Sequence, residues 1–311
     1  MNEVKCLIIS STLDYSTDLI CAELEKRNIS YLRINRDQFS LMKINFDINL
    51  ISLKVIINNR EYIFNNRVTN SIYFRAPVFS RTYNKRYTVA EQVYHSQWGA
   101  FIRNLVCFDK VFWMNNPVNT YRAENKLYQL QKAKEIGLMI PETIVANYKL
   151  ESLHFDNYII KSIDTALFCE NSTEMFTYSS IVSKNDLNND VLALAPVFIQ
   201  EYINPKVDIR VTYVNGKIFP VEINDVNMEI CDDWRCHKKN NLKYIPADIP
   251  GEIKEKLQGL MKILELNFGG IDLIKKNQKY YFIEVNPTGE WGWIVKNTDL
   301  KIEQEIVNYL A

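Results

Sequence analysis

The sequence predicts an α+β protein with two mixed β-sheets, and three stretches carry this prediction. Residues 4–34 read as strand, helix and strand, which is the order of a parallel βαβ unit. Asn215 and Gly216 separate two β-like runs and form a dipeptide typical of type I′ hairpin turns. A second hairpin is predicted from the runs at 271–274 and 279–285. Parallel strands and hairpins in one chain indicate mixed sheets.

The first 115 residues are predicted to form one domain. Residues 4–10 (VKCLIIS) have the apolar run of a buried strand, and 14–27 place Leu19, Ile20 and Leu24 at helical spacing. A second strand is expected at 31–34, followed by β-like segments at 44–53, 54–57, 62–64 and 71–74. Helical spacing returns over 89–107, and a strand at 111–114 ends the domain.

Two further domains are predicted, at 116–195 and 196–311. Asn116 before Pro117 is the pattern of a capped helix start, and a helix is expected over 123–136, ended by Gly137 and Pro141. Strands are expected at 143–145, 158–163, 197–203, 207–214 and 217–224, and helices at 253–264 and 301–310. Residues 164–176 and 183–190 are expected to be loosely structured connections.

Composition argues against several classes of partner. Lys plus Arg and Asp plus Glu number 37 each, so a formal net charge of zero offers no basic field for nucleic acid or an anionic membrane. The apolar run at 6–9 is too short for a signal peptide or a membrane span, and the six cysteines have no disulfide-framework spacing. We therefore expect a cytoplasmic protein with reduced thiols and neither kind of partner.

Common catalytic and nucleotide-binding motifs are missing from the sequence. It has no GxSxG, HExxH or GxxxxGKS/T motif, and its nine glycines form no Gly-rich phosphate loop. Cys231, Cys236 and His237 cluster without the CxxC pairs of zinc sites, so a structural zinc is a poor fit. A bound nucleotide would have to be held in another way.

The final hairpin, GGIDLIKKNQKYYFIEVN, points to a metal site. If its turn centres on Gln278, Asp272 lies opposite Glu284 on one face, and Asn286 follows one step along that face. Two opposed carboxylates repel unless a cation lies between them, and two carboxylates with an amide oxygen suit Mg²⁺. The alternative is that both acids face solvent, which would expose Phe282 on the same face.

Charged side chains upstream are suited to phosphate. Asp208 and Arg210 share one face of the run at 207–214, and Lys161 interrupts the apolar stretch YIIKSI. Lys126 lies in the helix expected over 123–136. Cations beside a metal site stabilise a phosphate. The alternative is a surface ion pair and lysines whose ammonium groups reach solvent.

Taken in order, these stretches resemble ATP-grasp enzymes of the microviridin type, the maturases of graspetides, which are peptides with ω-ester or ω-amide bonds. The matching stretches span nearly the whole chain: RIN at 33–35, SIYFRAP at 71–77, NNP through AENKLYQLQKAKEIGLMIPET at 115–143, YIIKSI at 158–163, FIQEYINPKVDIRVTYVNGKIFPVEI at 198–223, DDWR at 232–235, GGIDLI at 269–274 and FIEVNPTGEWGW at 282–293. The resemblance implies an ATP-grasp fold, two α+β subdomains gripping ATP, preceded by an α/β pre-ATP-grasp N-terminal domain.

The resemblance also implies roles for individual residues. ATP would be contacted by Lys126 and Lys161 at the phosphates, by the backbone of Gln200, Glu201 and Tyr202 at adenine, by Glu201 or Asp208 at the ribose, and by Arg210 at the γ-phosphate. The Mg²⁺ ligands would be Asp272, Glu284 and Asn286. Asp233 and Arg235 would lie beside the acceptor peptide, with Asp233 as a candidate base; the alternative is that Asp233 only pairs with Arg235.

The implied reaction transfers the γ-phosphoryl group of ATP to an Asp or Glu side chain of a ribosomal precursor peptide. A Ser or Thr hydroxyl, or a Lys amine, then displaces phosphate and closes a ring. The implied partners are that precursor, its leader bound near residues 164–195, and a second copy of the chain in a homodimer. Two alternatives are a small-molecule carboxylate–amine ligase of the same fold and a non-catalytic protein that binds ATP and peptide.

Overall fold

The computed structural model describes residues 2–75, 87–164, 167–170, 173–176, 178–187 and 192–311, with only the backbone considered at 167–170 and 173–176. In chain order the strands are β1 (Asn2–Glu3), β2 (Cys6–Ser10), β3 (Tyr31–Asn35), β4 (Lys43–Asp47), β5 (Ser52–Ile57), β6 (Arg60–Asn65), β7 (Ser71–Phe74), β8 (Phe112–Met114), β9 (Thr143–Ala146), β10 (Asn157–Lys161), β11 (Leu167–Glu170), β12 (Thr173–Phe176), β13 (Ser180–Ser183), β14 (Val197–Glu201), β15 (Val207–Val214), β16 (Lys217–Asp225), β17 (Leu242–Pro246), β18 (Phe268–Lys276) and β19 (Lys279–Asn286).

The α-helices are α1 (Tyr15–Lys26), α2 (Val89–Asn104), α3 (Pro117–Ala123), α4 (Lys126–Glu135), α5 (Gly251–Ile263), α6 (Gly292–Asn297) and α7 (Ile302–Leu310). Short 3₁₀-helices lie at Arg36–Leu41, Leu105–Cys107, Trp234–Cys236 and Lys239–Asn241. Asn116 caps α3 as predicted, because its side chain accepts a hydrogen bond from the Val118 amide and Pro117 occupies the first turn. Among the helices described, none has the length and apolar composition needed to cross a membrane.

The N-terminal part contains two sheets. One is parallel, in the order β3-β2-β7-β8, and β2–α1–β3 confirms the predicted βαβ unit. The other has the order β1-β6-β5-β4. Helix α1 begins at Tyr15 because the Asp14 side chain caps it, accepting a hydrogen bond from the Thr17 amide at 3.1 Å.

The rest of the chain forms two antiparallel sheets and a small hairpin. A central sheet has the order β13-β10-β14-β9, and a larger sheet has the order β17-β16-β15-β18-β19. The turn between β15 and β16 is the predicted one, because Asn215 and Gly216 have positive φ angles of 41° and 98°. The turn between β18 and β19 has the same character, at Asn277 and Gln278. The predicted α+β class is therefore confirmed.

The helix predicted over 123–136 is present as α4, Lys126–Glu135, but it begins three residues later than predicted. Helix α3 ends at Ala123, and α4 begins at Lys126. Asn125 separates them, because its Nδ2 donates hydrogen bonds to the carbonyl oxygens of Tyr121 and Arg122 at 3.0 and 2.9 Å. An asparagine that bonds to nearby backbone carbonyls competes with the helical hydrogen bonds. Lys126 therefore lies at the start of a helix rather than in its interior.

The expectation of loose structure over 164–176 is wrong at 167–170 and 173–176. Its described parts contain the antiparallel pair β11–β12, in which Leu167 pairs with Phe176 and Glu170 with Thr173. The strand β13, which the sequence did not predict, pairs with β10. Strands held mainly by backbone hydrogen bonds need no apolar alternation, so the sequence period does not report them. Part of the expected connection at 183–190 lies outside the described residues.

The N-terminal part and the large sheet share one hydrophobic core. Ile8 of β2 and Val214 of β15 belong to the same buried cluster as Phe268, Trp291 and Leu310. The central sheet packs one face on a core of its own, which includes Ala146, Tyr158 and Ile199, and its Phe198 is buried in the core of the large sheet. The boundaries predicted at residues 115 and 195 remain predictions.

Asn115 joins the N-terminal part to the large sheet through four hydrogen bonds. Its Nδ2 donates to the carbonyl oxygens of Phe268 and Pro287, each at 2.8 Å. Its Oδ1 accepts from the amides of Asn267 and Phe268, each at 2.8 Å. Asn115 is 1% exposed, so these backbone groups depend on its amide.

Arg75, the arginine of the FRAP stretch, makes a second connection. Its Nε lies 2.9 Å from Asp14 Oδ2, and its Nη2 lies 2.7 Å from Glu290 Oε1. The Ser16 hydroxyl donates to the other oxygen of Glu290 at 2.7 Å. Burial raises the pKa of the Asp14 carboxyl, but Arg75 outweighs burial and holds that pKa below its usual range. Ala76 and Pro77 lie outside the described residues.

We expect the Asn115→Ala substitution to lower the free energy of unfolding by at least about 3 kcal/mol, because each buried backbone group left without a partner costs roughly 1–3 kcal/mol. Asn119→Ala is the matched control. Asn119 is partly exposed and makes one hydrogen bond across the same junction, to the Glu265 carbonyl oxygen at 3.2 Å. Urea denaturation of both variants measures the difference. Equal destabilisation would contradict the assigned role of Asn115.

Candidate functional site

The hairpin of β18 and β19 brings the predicted carboxylates together. Asp272 pairs directly with Glu284, as predicted. The turn lies at Asn277 and Gln278, slightly before the expected centre, and the register shifts between Asp272 and Leu273. This β-bulge adds one residue to β19, which restores the predicted pairing.

The same bulge changes which apolar residues share the face of the carboxylates. Ile283 is the extra residue, and it lines the cleft beside Asp272 and Ile274. Phe282 pairs with Leu273 and is fully buried in the core on the other side of the sheet. The expectation that Phe282 shares the face of Glu284 is therefore wrong, because the bulge breaks the two-residue alternation.

Asn286 completes a set of three oxygen-bearing side chains. Its Nδ2 lies 3.1 Å from Glu284 Oε1 and 3.4 Å from Asp272 Oδ2. The Glu284 side chain is 10% exposed and the Asp272 side chain 20%. Two carboxylates and an amide converging on one point match the donor set preferred by Mg²⁺, once the amide turns its oxygen inward.

Two lysines balance the charge of Glu284. Lys126 Nζ lies 3.2 Å from Glu284 Oε2, and Lys161 Nζ lies 5.5 Å from the centre of the Phe198 ring. Burial raises the pKa of the Glu284 carboxyl, but Lys126 and Lys161 outweigh burial and hold that pKa below its usual range. Burial lowers the pKa of the Lys161 ammonium. Glu284 is thus held ionised next to Asp272.

Asp272 is the less well compensated of the two acids. Burial raises the pKa of its carboxyl above the usual range, although Arg210 opposes burial. A carboxyl that is costly to ionise beside a second carboxylate gains from a divalent cation at the same point. The described residues therefore fit a bound Mg²⁺.

Two hydrogen-bond donors of the Arg210 guanidinium are unpaired. Its Nε lies 3.2 Å from Asp272 Oδ1, but neither Nε nor Nη1 has a hydrogen-bond partner, and the residue is 7% exposed. A side chain on Gly270 would fill this space, because a Cβ there would lie 2.7 Å from Arg210 Nη1. Buried donors without partners are rare and destabilising unless they meet an acceptor. The geometry suits an anionic oxygen such as that of a phosphate.

The predicted adenine segment lies at the other side of the cleft. Gln200 Nε2 donates to Thr143 Oγ1 at 2.8 Å, and the Glu201 amide donates to the Glu142 carbonyl oxygen at 2.8 Å. The Glu201 carboxylate accepts a hydrogen bond from the Glu142 amide at 3.2 Å. The Glu201 amide is therefore occupied within the fold, so adenine would have to meet other backbone groups of this segment, which includes Tyr202.

Asp208 has a partner that the sequence did not predict. Lys206 pairs with it, and both side chains line the cleft. Burial raises the pKa of the Asp208 carboxyl, and Lys206 opposes this shift. Lys206 precedes β15 by one residue, and its position two residues before Asp208 was the available signal.

Asp233 and Arg235 form a bidentate ion pair at the mouth of the cleft. Arg235 Nε donates to Asp233 Oδ1 at 2.8 Å, and Nη2 donates to Oδ2 at 2.6 Å. Burial raises the pKa of the Asp233 carboxyl, but the hydrogen bonds from Arg235 outweigh burial and lower it. Trp234, between them, packs on Trp293 with ring centres 5.5 Å apart. The pairing that the sequence left as an alternative is present.

One cleft contains almost all of the predicted site residues. Its cavity volume is about 170 Å³, and it is lined by Lys126, Lys161, Gln200, Glu201, Tyr202, Asp208, Asp233, Arg235, Asp272, Glu284 and Asn286. Arg210 is not part of the lining and reaches the cleft through its contact with Asp272. The lining residues Ile159, Ser179 and Trp234 were not predicted.

One family model matches the C-terminal part of the chain. Residues 160–310 match the family model described as a RimK-like ATP-grasp domain. The alpha-aminoadipate–LysW ligase LysX of Sulfurisphaera tokodaii is 24% identical over 204 residues, which cover 62% of this chain and 70% of that protein.

Solved structures match the whole chain. A RiPP-associated ATP-grasp ligase of Chryseobacterium gregarium, in complex with ADP and a leader and core peptide, is 25% identical with a TM-score of 0.82, covering 100% of this chain and 96% of that chain. The macrocyclase MdnC of Microcystis aeruginosa MRC, bound with precursor peptide MdnA, is 24% identical with a TM-score of 0.82, covering 98% of each chain. The predicted ATP-grasp fold is confirmed.

We expect the Gly270→Ala substitution to reduce kcat/KM for ATP hydrolysis at least tenfold, because the new Cβ displaces the Arg210 guanidinium from its position. Gly259→Ala is the matched control. A Cβ at Gly259, in helix α5, meets nothing within 4 Å. It should stabilise the helix by about 0.5–1 kcal/mol and leave hydrolysis unchanged. Unaltered kinetics in a folded Gly270→Ala protein would rule out the placement of Arg210 at the phosphate.

Proposed function

We propose that this chain, an ATP-grasp ligase whose residues 160–310 form a RimK-like domain, closes macrocycles in a ribosomal precursor peptide. Side-chain carboxylates of Asp or Glu are activated by ATP and joined to Ser or Thr hydroxyls or to Lys amines. The products are ω-ester or ω-amide bonds, ADP and phosphate.

The observation that carries this proposal is the closeness of one structural match over the whole chain. The Chryseobacterium gregarium ligase was solved with both a leader and a core peptide, and the likeness covers all of this chain with a TM-score of 0.82. The D-alanine–D-alanine ligase of Bacillus anthracis covers 99% of this chain with a TM-score of only 0.59. The closer match to a peptide-bound ligase favours a peptide substrate.

The cleft residues supply nucleotide binding in this proposal. Lys126 and Lys161 contact the phosphates, the backbone of Gln200, Glu201 and Tyr202 holds adenine, and Glu201 or Asp208 reaches the ribose. Asp272, Glu284 and Asn286 hold Mg²⁺. When bound, Mg²⁺ neutralises charge on the phosphate oxygens.

The proposed reaction has two steps, phosphoryl transfer and then acyl transfer. A peptide carboxylate oxygen attacks the γ-phosphorus of ATP, the bond to the β-phosphate oxygen breaks, and ADP leaves. The acceptor hydroxyl or amine then attacks the acyl carbon, loses its proton, and phosphate leaves with the former carboxylate oxygen. Arg210 directs its unpaired Nε and Nη1 at the oxygens that carry charge in both steps.

The acceptor peptide lies beside the Asp233–Arg235 pair in this proposal. Because Arg235 holds both oxygens of Asp233, the pair presents a fixed carboxylate to an incoming hydroxyl or ammonium group. The leader binds near residues 164–195, part of which lies outside the described residues. We also propose a homodimer, which the mass of the native enzyme in solution would test.

A small-molecule ligase of the same fold is the second candidate. The sequence likeness to LysX, and to a probable alpha-L-glutamate ligase at 23% identity, favours it. The two candidates differ in what stimulates ATP hydrolysis. A free amino acid would do so for the second candidate, whereas a peptide carrying its leader is required by the first.

We expect a short reading frame beside this gene to encode a leader and a core rich in Ser/Thr or Lys and in Asp/Glu. Incubated with enzyme, ATP and Mg²⁺, that peptide should lose about 18 Da for each bond formed, one water per condensation. Glu284→Gln should abolish the loss by removing a metal ligand, while Glu135→Gln, on the exposed side of α4, should retain it. Mass spectrometry of the peptide measures the mass lost with each enzyme variant. An unchanged peptide despite ATP turnover would support the small-molecule ligase.

We expect the Asp233→Asn substitution to abolish ring closure while ATP hydrolysis continues, because the acceptor side loses its fixed carboxylate and the nucleotide side is untouched. Product mass and released phosphate are measured in the same reaction. Asp299→Asn, at an exposed position outside the cleft lining, is the control. Normal cyclisation by Asp233→Asn would remove Asp233 from the acceptor role.

A further inference from the structure

A single side chain supports the strand that carries the proposed metal ligands. β19 lies at the edge of its sheet, so its outer backbone groups have no neighbouring strand. Gln129 takes that place: its Oε1 accepts a hydrogen bond from the Val285 amide at 2.8 Å, and its Nε2 donates to the Val285 carbonyl oxygen at 2.8 Å. Val285 stands between Glu284 and Asn286. The Gln129 amide thus continues the hydrogen bonding of the sheet between the two proposed metal ligands of β19.

Gln129 is itself held in one position. Its Nε2 also donates to the carbonyl oxygen of Ala123, at the end of α3. The residue is 1% exposed. Both amide protons and the oxygen therefore have partners, and rotation of the amide would break every bond.

Helix α4 meets β19 through two side chains one turn apart. Lys126 reaches Glu284 and Gln129 reaches Val285, so positions i and i+3 of the helix contact consecutive residues of the strand. The lysine contact tolerates sliding because its side chain is long and flexible. The pair of hydrogen bonds between Gln129 and Val285 does not tolerate sliding, since a shift of the strand by one residue would turn both Val285 backbone groups away from the amide.

The bulge makes this support necessary. The Phe282 amide points outward and donates to the Met139 carbonyl oxygen at 2.8 Å. The next outward amide is that of Val285, three residues on rather than two, because Ile283 is bulged. A bulge interrupts the ladder locally, so the strand end beyond it depends on outside partners.

We propose that Gln129 is a positioning residue that sets the placement of Glu284 and Asn286 for a divalent cation bound with nucleotide, and ties that placement to Lys126. The inference rests on the proposed metal–nucleotide site. It does not depend on the peptide substrate.

The test measures Mn²⁺ binding in the presence of ADP, from the electron paramagnetic resonance of free Mn²⁺, with no peptide present. Gln129→Met keeps the volume and removes all three hydrogen bonds. We expect it to weaken Mn²⁺ binding by about tenfold or more, the usual effect of losing a group that orients metal ligands. Gln131→Met is the matched control, because Gln131 is exposed on the same helix and bonds only to Glu135.

Leu105→Ala separates positioning from stability. It removes a buried side chain of the N-terminal core, which destabilises the fold at a cluster that contains neither α4 nor β19. Mn²⁺ affinity in the folded Leu105→Ala protein should match the wild type. Equal weakening in Leu105→Ala and Gln129→Met, or no weakening in Gln129→Met, overturns the inference.

The wild-type protein provides a test that requires no variant to fold. Hydrogen exchange at the Val285 amide should be as slow as at the interior amides of β18, and slower still with ADP and Mg²⁺. Rapid exchange there would overturn the inference. If the wild type binds no Mn²⁺ with ADP, the proposed metal site is wrong and the inference fails with it, whereas an unmodified peptide would refute only the macrocyclisation.

Discussion

The direct pairing of Asp272 with Glu284 is the constraint around which this site is built. Opposed carboxylates on neighbouring strands repel, and burial of both increases the cost. The surrounding side chains compensate this repulsion. Lys126 forms an ion pair with Glu284, and Arg210 forms one with Asp272. Asn286 is within hydrogen-bond distance of both acids. A hydrophobic pair at these two positions would stabilise the sheet better, so the acids are explained by binding rather than by folding.

The fold holds these charges through connections outside the cleft. The N-terminal part and the large sheet share a core, and Asn115 and Arg75 join them on either side of the loop that follows β19. The central sheet packs one face on its own core and places Phe198 in the core of the large sheet, and it contributes Lys161 from the end of β10. The N-terminal part thus holds the loop that follows the strand with the proposed metal ligands, and the lysine opposite comes from a sheet that packs on the same core as that strand.

Contacts between residues close along the chain were predictable from the sequence, whereas contacts between residues far apart along the chain were not. The pairing of Asp272 with Glu284 was predictable because a hairpin joins residues close along the chain. The bulge at Ile283 was not, since no glycine or proline marks it. The break at Asn125 between α3 and α4 was not predictable either, because the helical period on both sides concealed it. The bonds of Gln129 to Val285 and of Arg75 to Glu290 span 156 and 215 residues, and nothing in a local pattern reports such partners.

The charge arrangement also distinguishes between kinds of ligand. A free anion at Arg210 would meet the repulsion of Asp272 and Glu284, and a free divalent cation between those acids would meet Arg210, Lys126 and Lys161. A cation and an anion that arrive joined satisfy both sets at once, because the metal meets the oxygens and the phosphate meets the unpaired donors of Arg210. The site is therefore matched to a metal–nucleotide complex rather than to either component alone, which is the form in which ATP is used for phosphoryl transfer.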